Sequence, residues 1–205
     1  KYNSAGAQQW VQTYNGPGNG VDEANALSVD GSGNVYVTGW SWGSGTNYDY
    51  ATIKYNSSGI QQWIQRYNGP GNYVDSSTSI SVDGSGNVYV TGWSIGSDTT
   101  RFDYATIKYN SAGVQQWVQR YTGPSGGGAN SVAVDSSSNV YVTGKSGRTI
   151  KYNSAGVQQW AQSYSSLQAR SLAVGGSGNV YVIGWFMSGA TYYWRTIKYN
   201  SAGVQ

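Results

Sequence analysis

The chain has 205 residues, including 30 glycines, 19 tyrosines and 9 tryptophans, and this length fits one compact domain. Only 10% of the residues are charged and the net charge is +3, which is too weak for a nucleic-acid-binding surface. The chain has no histidine and no cysteine. It therefore cannot form a Ser-His-Asp triad, a cysteine nucleophile, a disulfide, or a metal site of thiolate or imidazole ligands. Aromatic residues make up 15% of the chain, which argues against disorder, and the absence of a long apolar run predicts no membrane insertion.

Three short patterns recur along the chain. The pattern KYNSAG or KYNSSG begins at Lys1, Lys54, Lys108, Lys151 and Lys198. The pattern GSGNVYVTG or a close variant begins at Gly31, Gly84, Ser136 and Gly176, and QQW-x-Q contains Trp10, Trp63, Trp117 and Trp160. Because repeats with periods of this length indicate solenoids, propellers or arrays, the unusual composition first requires a structural explanation.

Each repeat reads as four short strands rich in Val, Ile, Tyr, Thr and Trp and bounded by Gly, Asn, Asp and Ser. In the second repeat the predicted strands are Ser79–Asp83, Asn87–Trp93, Tyr104–Asn110 and Val114–Tyr121. Four strands per repeat predict an all-β propeller of four four-stranded blades within a single domain, residues 1–205. The predicted blades are residues 25–67, 79–121, 130–164 and 169–200, the last completed by residues 7–14.

The recurring strings resemble the repeat of a known family. DGSGNVYVTG at Asp30–Gly39 and Asp83–Gly92, followed by ATIKYNS at Ala51–Ser57 and Ala105–Ser111, resembles the bacterial SBBP β-propeller repeat. The third repeat has Ser-Ser-Ser after Asp135, and Gly175 replaces the aspartate in the fourth. The resemblance implies a propeller of about seven blades in an exported or surface-attached protein. A weaker similarity to quinoprotein blades, with a turn glycine four residues before each QQW tryptophan, implies that these tryptophans dock between blades.

The ends of the chain leave the closure of the ring open. The last repeat supplies three strands, and residues 7–14 read as the outer strand of a blade, which leaves the terminal KYNSAG segments redundant. Three arrangements fit this pattern. The chain closes as a four-bladed ring, forms a four-blade segment of a larger ring, or pairs as an open half with a second copy.

Chain direction separates two faces of the predicted propeller. The tight DGSGN and NSAG turns lie on one face, and the variable loops lie on the other, where recognition is expected. On the variable face we predict a ligand-binding surface of aromatic residues and one arginine: Trp40, Trp42, Tyr48, Tyr73, Trp93, Arg101, Phe102, Trp185, Phe186 and Tyr192. Such residues provide the stacking surfaces that sugars favour. The alternative is that Trp40, Trp93 and Trp185 cover the rim of the core.

Two features suggest chemistry but favour a structural role. The DGSGN turn resembles a calcium loop, but it lacks the downstream acidic ligand, so an Asx-type turn explains it and we predict no metal site. The carboxylates near the variable loops permit a glycosidase pair: Asp22, Asp49, Asp75, Asp98 and Asp103. Asp22 and Asp75 recur as VD, and Asp49 and Asp103 recur as DY. We therefore interpret the repeated pairs as loop-capping residues and predict no catalytic residues.

The sequence thus predicts a non-enzymatic module with a structural or interaction role. The alternative function is a carbohydrate-binding or weakly glycan-active propeller. The expected partners are a protein surface, a neutral polysaccharide or another copy of the chain, without nucleic acid and without a cofactor. The expected location is extracellular or at the cell surface.

Overall fold

The computed structural model describes residues 1–97, 100–123 and 126–205, and within them it contains fifteen strands and no helix. The first sheet consists of β1 (Asp22–Val29), β2 (Val35–Trp42), β3 (Tyr48–Tyr55) and β4 (Gln61–Tyr67). The second consists of β5 (Asp75–Val82), β6 (Val88–Ile95), β7 (Phe102–Tyr109) and β8 (Gln115–Tyr121). The third consists of β9 (Ala129–Val134), β10 (Val140–Gly144), β11 (Arg148–Tyr152) and β12 (Gln158–Ser163). The fourth consists of β13 (Gln168–Val174), β14 (Val180–Ser188) and β15 (Thr191–Tyr199).

Every sheet is an antiparallel meander in which consecutive strands are neighbours. The register repeats from blade to blade, so that Val35 lies opposite Tyr55 and Val88 lies opposite Tyr109. β5 begins at Asp75, earlier than the predicted Ser79, because a bulge between Ser77 and Ser79 lets the strand continue past its irregular pairing. Among the described residues, no helix could serve as a membrane span.

The hydrophobic core consists of three layers, each between two consecutive sheets. In the first layer, Tyr36 and Tyr50 of the first sheet pack with Val88, Ile107 and Tyr109 of the second. The second layer repeats this arrangement with Tyr89 and Tyr104, and the third repeats it with Tyr141. Because each sheet buries its faces only against its neighbours, the layers explain the repeated tyrosines and valines.

The fourth sheet corrects one prediction. It has three strands in the order β13-β14-β15, and residues 7–14 do not complete it. Those residues lie beside the first sheet instead, where Trp10 contacts Gly59, and Tyr2 forms an isolated bridge with Gln8. The four sheets therefore form an open array, and the closed four-bladed ring is not the arrangement observed.

Candidate functional site

The QQW tryptophans lie between consecutive blades. The Trp63 indole donates a hydrogen bond to the Ser111 carbonyl oxygen at 3.2 Å, and the ring lies against Gly113 of the second sheet. Its centroid is 6.2 Å from that of Tyr36 and 6.1 Å from that of Tyr109. The same contacts recur in the pairs Trp10 with Gly59, Trp117 with Gly156 and Trp160 with Gly203. Each tryptophan thus docks on the turn glycine of the next repeat, and not on the glycine four residues before it.

The DGSGN turn uses both carboxylate oxygens of its aspartate. Asp30 Oδ1 accepts hydrogen bonds from the backbone amides of Ser32 and Asn34, both at 2.9 Å. Asp30 Oδ2 accepts the Asn34 side-chain amide at 2.8 Å and the Tyr36 hydroxyl at 2.9 Å. This is an Asx turn that also anchors a buried tyrosine. The described residues contain no cluster of three potential acidic metal ligands.

We expect calcium and chelators to leave the unfolding temperature unchanged, because the turn aspartates already accept protein hydrogen bonds. Thermal unfolding in excess EDTA and in excess calcium measures this. A midpoint that rises with calcium concentration would show ligand-linked stabilisation and contradict the structural role of the turn.

Asp83 is the equivalent aspartate in the second blade, and it also bonds to the third blade, because its Oδ2 accepts a hydrogen bond from the Ser138 hydroxyl at 2.9 Å. Burial alone would raise the pKa of Asp83, but hydrogen bonds from Asn87, Tyr89 and Ser138 outweigh it and hold the pKa below its ordinary value. A carboxyl whose folded-state pKa is depressed stabilises the fold above its unfolded pKa. That stabilisation is lost as the pH falls through the folded-state value.

Asp83→Ala should therefore lower the free energy of unfolding by about 2 kcal/mol at pH 7, the scale of hydrogen bonds to a charged group. The difference from the parent should shrink as the pH falls below the ordinary value of 3.8 and through the lowered folded-state pKa, because the parent carboxylate then becomes protonated. Urea unfolding of both proteins at neutral and acid pH tests this. An equal difference at both pH values would mean that the charge of Asp83 contributes nothing.

The candidate acid–base residues are engaged in loop and blade contacts. The Arg120 guanidinium contacts Asp103 Oδ2 at 2.7 Å and donates to the Tyr67 hydroxyl of the preceding sheet at 2.8 Å. Arg66 contacts Asp49 at 3.0 Å and donates to the Tyr14 hydroxyl at 3.1 Å. Arg120 thus links the second sheet to the last strand of the first sheet, and Arg66 links the first sheet to the segment that contains Tyr14.

The other repeated pair caps the incoming loops. Asp22 accepts a hydrogen bond from the Gly16 amide at 2.9 Å, and Asp75 accepts one from the Gly69 amide at 2.6 Å. Burial raises the pKa of Asp75. These contacts match the loop-capping interpretation of both residues, while Asp98 lies outside the described residues.

The aromatic residues predicted as a ligand surface fall into separate groups. Tyr48 meets both Trp40 and Trp42 edge-on, with ring centroids 4.4 and 4.8 Å apart, and the Trp42 ring lies against Gly18 and Gly20 of the incoming loop. All three aromatic side chains are half-buried. This group packs within the rim of the first blade, and Trp40 also lines an open groove over the first sheet.

A second group lies at the rim of the second blade. Trp93 meets Phe102 edge-on at 4.8 Å and lies against Gly128, which leads into the third sheet. Phe102 remains 43% exposed, and the Phe102 carbonyl accepts the Gly127 amide at 2.8 Å. Arg101 adjoins this group next to Gly126, whereas Tyr73 is 52% exposed on the loop between the first and second sheets.

The third group is on the β14–β15 hairpin. Trp185 meets Tyr192 edge-on at 5.1 Å, and Phe186 stacks on Tyr193 at 5.6 Å beneath the Arg195 guanidinium, 3.9 Å from the Phe186 centroid. Trp194 is 93% exposed, and the sequence pattern did not single it out as a surface residue. The sequence does distinguish this residue, because Trp194 replaces the tyrosine found at the same repeat position, Tyr50 and Tyr104, both of which are buried.

Repeated four-stranded meanders, stacked face to face through docked aromatic residues, define a β-propeller. The sequence profile of the SBBP beta-propeller repeat matches residues 9–46, 62–98 and 116–148, just over half of the chain. The chain belongs to this SBBP beta-propeller repeat family. A comparison with curated proteins gave no match.

Solved structures share the fold at low identity. A protein of unknown function from Bacteroides caccae is 13% identical with a TM-score of 0.54, covering 85% of this chain and 60% of that protein. A gluconolactonase from Xanthomonas campestris is also 13% identical with a TM-score of 0.52, covering 96% of this chain and 63% of that protein. The chain therefore spans about 60% of the length of these structures, and the likeness shows the fold alone.

Proposed function

We propose that the chain is a non-enzymatic structural and interaction module. One observation carries this proposal: every aspartate in the described residues accepts a hydrogen bond from a turn, a loop amide or an arginine. A catalytic acid and base are two carboxyl groups placed together in distinct roles. The repeated aspartates instead accept the same type of hydrogen bond at equivalent positions of successive blades.

Turnover assays test the absence of catalysis directly. Because one similar fold carries the name gluconolactonase, the substrates are gluconolactone and chromogenic glycosides. The 205-residue chain should give the rate of buffer alone, and Asp49→Asn and Asp103→Asn should leave that rate unchanged. A rate above buffer that either variant abolishes would overturn the proposal.

An exported or cell-surface location belongs to this proposal. The uncharged, Gly-, Ser-, Asn- and Thr-rich composition supports it, with only 10% charged residues. The same low charge favours a neutral partner, because the sequence has no run of basic residues to attract phosphate groups. Binding should therefore depend little on salt. Localisation by fractionation of the source cells tests the location, and a purely cytosolic signal would contradict it.

Carbohydrate binding is the second candidate, and the exposed β14–β15 hairpin favours it. Tyr192, Tyr193 and Trp194 are 66%, 49% and 93% exposed, and exposed aromatic rings provide stacking surfaces for sugar rings. A glycan array compares the parent with Tyr192→Ala/Trp194→Ala, with Val114→Ala as a control on the opposite face. Binding lost only in the hairpin variant supports this candidate. Binding absent from the parent, or retained by the variant, excludes the hairpin as a sugar site.

A further inference from the structure

The third sheet differs from the second at the variable face, although both sheets have four strands and a neighbouring sheet on each side. In the second sheet Asp75 and Asp103 lie there, on either side of Ser94. In the third sheet Gly127 takes the repeat position of Asp75. The connection between β10 and β11 is too short to contain an equivalent of Asp103. The third blade therefore has neither of the carboxylates that recur in the first two.

The third blade keeps an arginine at this place, but on a different strand. Arg120 lies on β8 of the second sheet, whereas Arg148 lies on β11 of the third, opposite Ser163. Both arginines reach the last strand of the preceding sheet. Arg120 donates to the Tyr67 hydroxyl at 2.8 Å, and the Arg148 guanidinium lies over the Tyr121 ring, 5.2 Å from its centroid. The third blade has thus lost its carboxylates and retained the cation.

Arg148 makes fewer hydrogen bonds than Arg120. Arg120 donates to Asp103 Oδ2 at 2.7 Å and to Ser94 Oγ at 2.6 Å. Within the described part of the chain, the Arg148 guanidinium has one acceptor, Ser163 Oγ at 2.7 Å, and its buried Nε has none. Since a guanidinium offers five donors in a planar arrangement that matches a carboxylate, Arg148 lacks the anion that Arg120 finds within the chain.

A lysine adds a second cation to the same place. Lys145 occupies the repeat position of Trp93 and is exposed. A Cβ atom at Gly127 would lie 3.5 Å from the Lys145 Cβ, so the lysine adjoins the position that Asp75 holds in the second blade. Two aspartates and one arginine give the second blade a formal charge of −1 here, whereas Lys145 and Arg148 give the third a formal charge of +2. The local charge is therefore reversed between two successive blades.

An exposed aromatic ring lies beside these cations. Phe102 is 43% exposed and meets Trp93 edge-on at 4.8 Å. The Phe102 carbonyl accepts the Gly127 amide at 2.8 Å, and Gly127 in turn lies against Lys145. A ring beside two cations fits a sugar that carries a carboxylate, because the sugar ring stacks on the aromatic ring and the carboxylate pairs with the cations.

We infer that the third blade binds a uronic acid unit of an acidic polysaccharide, with Arg148 and Lys145 pairing with its carboxylate and Phe102 stacking on a sugar ring. The ligand carboxylate supplies to Arg148 what Asp103 supplies to Arg120. This inference goes beyond the proposed function, whose neutral partner follows from the charge of the whole chain and not from that of one blade. Binding at Arg148 should weaken as the salt concentration rises, whereas binding of a neutral partner should not, so the two proposals succeed or fail separately.

The test is calorimetric titration of the 205-residue chain with an oligogalacturonate, with the carboxyl-reduced oligosaccharide as the matched neutral probe. The oligogalacturonate should bind saturably with a dissociation constant below about 1 mM at low salt, and the neutral probe should not bind. No binding of the oligogalacturonate, or equal binding of both probes, would overturn the inference. Polyglutamate that binds as tightly as the oligogalacturonate would overturn the assignment to a sugar, because the aromatic ring would then contribute nothing.

Variants of the two cations and of Ser163 place the binding on the third blade. Arg148→Gln and Lys145→Gln should each weaken oligogalacturonate binding at least about fivefold, because each removes a charge-assisted contact. Lys108→Gln, which removes the same charge on the tight-turn face, should match the parent. Ser163→Asp places a carboxylate opposite Arg148 within the chain, so it should abolish binding without lowering the unfolding midpoint. Parental affinity in both Arg148→Gln and Ser163→Asp would show that the ligand binds elsewhere and contradict the inference.

Discussion

Replacing Trp117 by alanine should lower the free energy of unfolding by about 3 kcal/mol, near the lower end for truncation of a large aromatic core residue. The ring lies between Tyr89 and Tyr152, with centroids 6.2 Å from each, and its indole donates to the Ser154 carbonyl oxygen at 3.2 Å. Removal of the side chain leaves a cavity between the second and third sheets. Urea unfolding at neutral pH measures the change.

The control for this experiment is the neighbouring Gln116→Ala. Gln116 is exposed, and its side chain donates to the nearby Val114 carbonyl oxygen, so its loss should stay within about 0.5 kcal/mol, as for ordinary surface substitutions. If both variants unfold at the same urea concentration, Trp117 does not hold the two blades together.

Gly113→Ala should destabilise the protein by at least about 2 kcal/mol, because two penalties coincide at this position. Gly113 has a φ of +83°, which side-chain-bearing residues rarely adopt. A Cβ atom there would also lie 2.8 Å from the Trp63 ring. The ring has little room to retreat, since Tyr36 and Tyr109 contact it from the two adjoining sheets.

Gly84→Ala provides the matched control for the glycine experiment. A Cβ atom at Gly84 would meet nothing within 4 Å, and Gly84 is exposed. This variant should unfold within about 0.5 kcal/mol of the parent. Equal losses at both glycines would show that the tryptophan does not dock on the turn.

Repetition explains why the sequence alone predicted the fold class. Four strands per repeat, turns at fixed offsets and recurrent valines and tyrosines predicted an all-β propeller, and the sheets and the family match confirm it. The glycine that each tryptophan contacts could not be predicted from the sequence. Gly59 precedes Trp63 by four residues in the sequence, but in the fold Trp63 packs on Gly113, fifty residues later. A short-range pattern does not reveal which blade a strand faces.

The environments of the candidate site residues were harder to predict from the sequence than the fold class. Trp40 and Trp93 occupy the same position in the second strand of their repeats. Their environments depend on loop glycines and on the next sheet, which the pattern of one repeat does not contain. The exposure of Trp194 follows from its place on an outer face, since the equivalent Tyr50 is buried. Similarly, the displacement of residues 7–14 from the fourth sheet depends on the angle between blades, a property of packing rather than of composition.

The central claim is that indoles docked across blade boundaries join the sheets into one propeller, and hydrogen exchange of the tryptophan indole protons tests it most directly. In a ¹⁵N-labelled sample, with signals assigned by single Trp→Phe variants, Trp63, Trp117 and Trp160 should exchange at least about tenfold more slowly than Trp194. The first three donate to the Ser111, Ser154 and Ser201 carbonyl oxygens, each at 3.2 Å, whereas Trp194 is 93% exposed. Exchange of all four at the rate of Trp194 would contradict the docked arrangement.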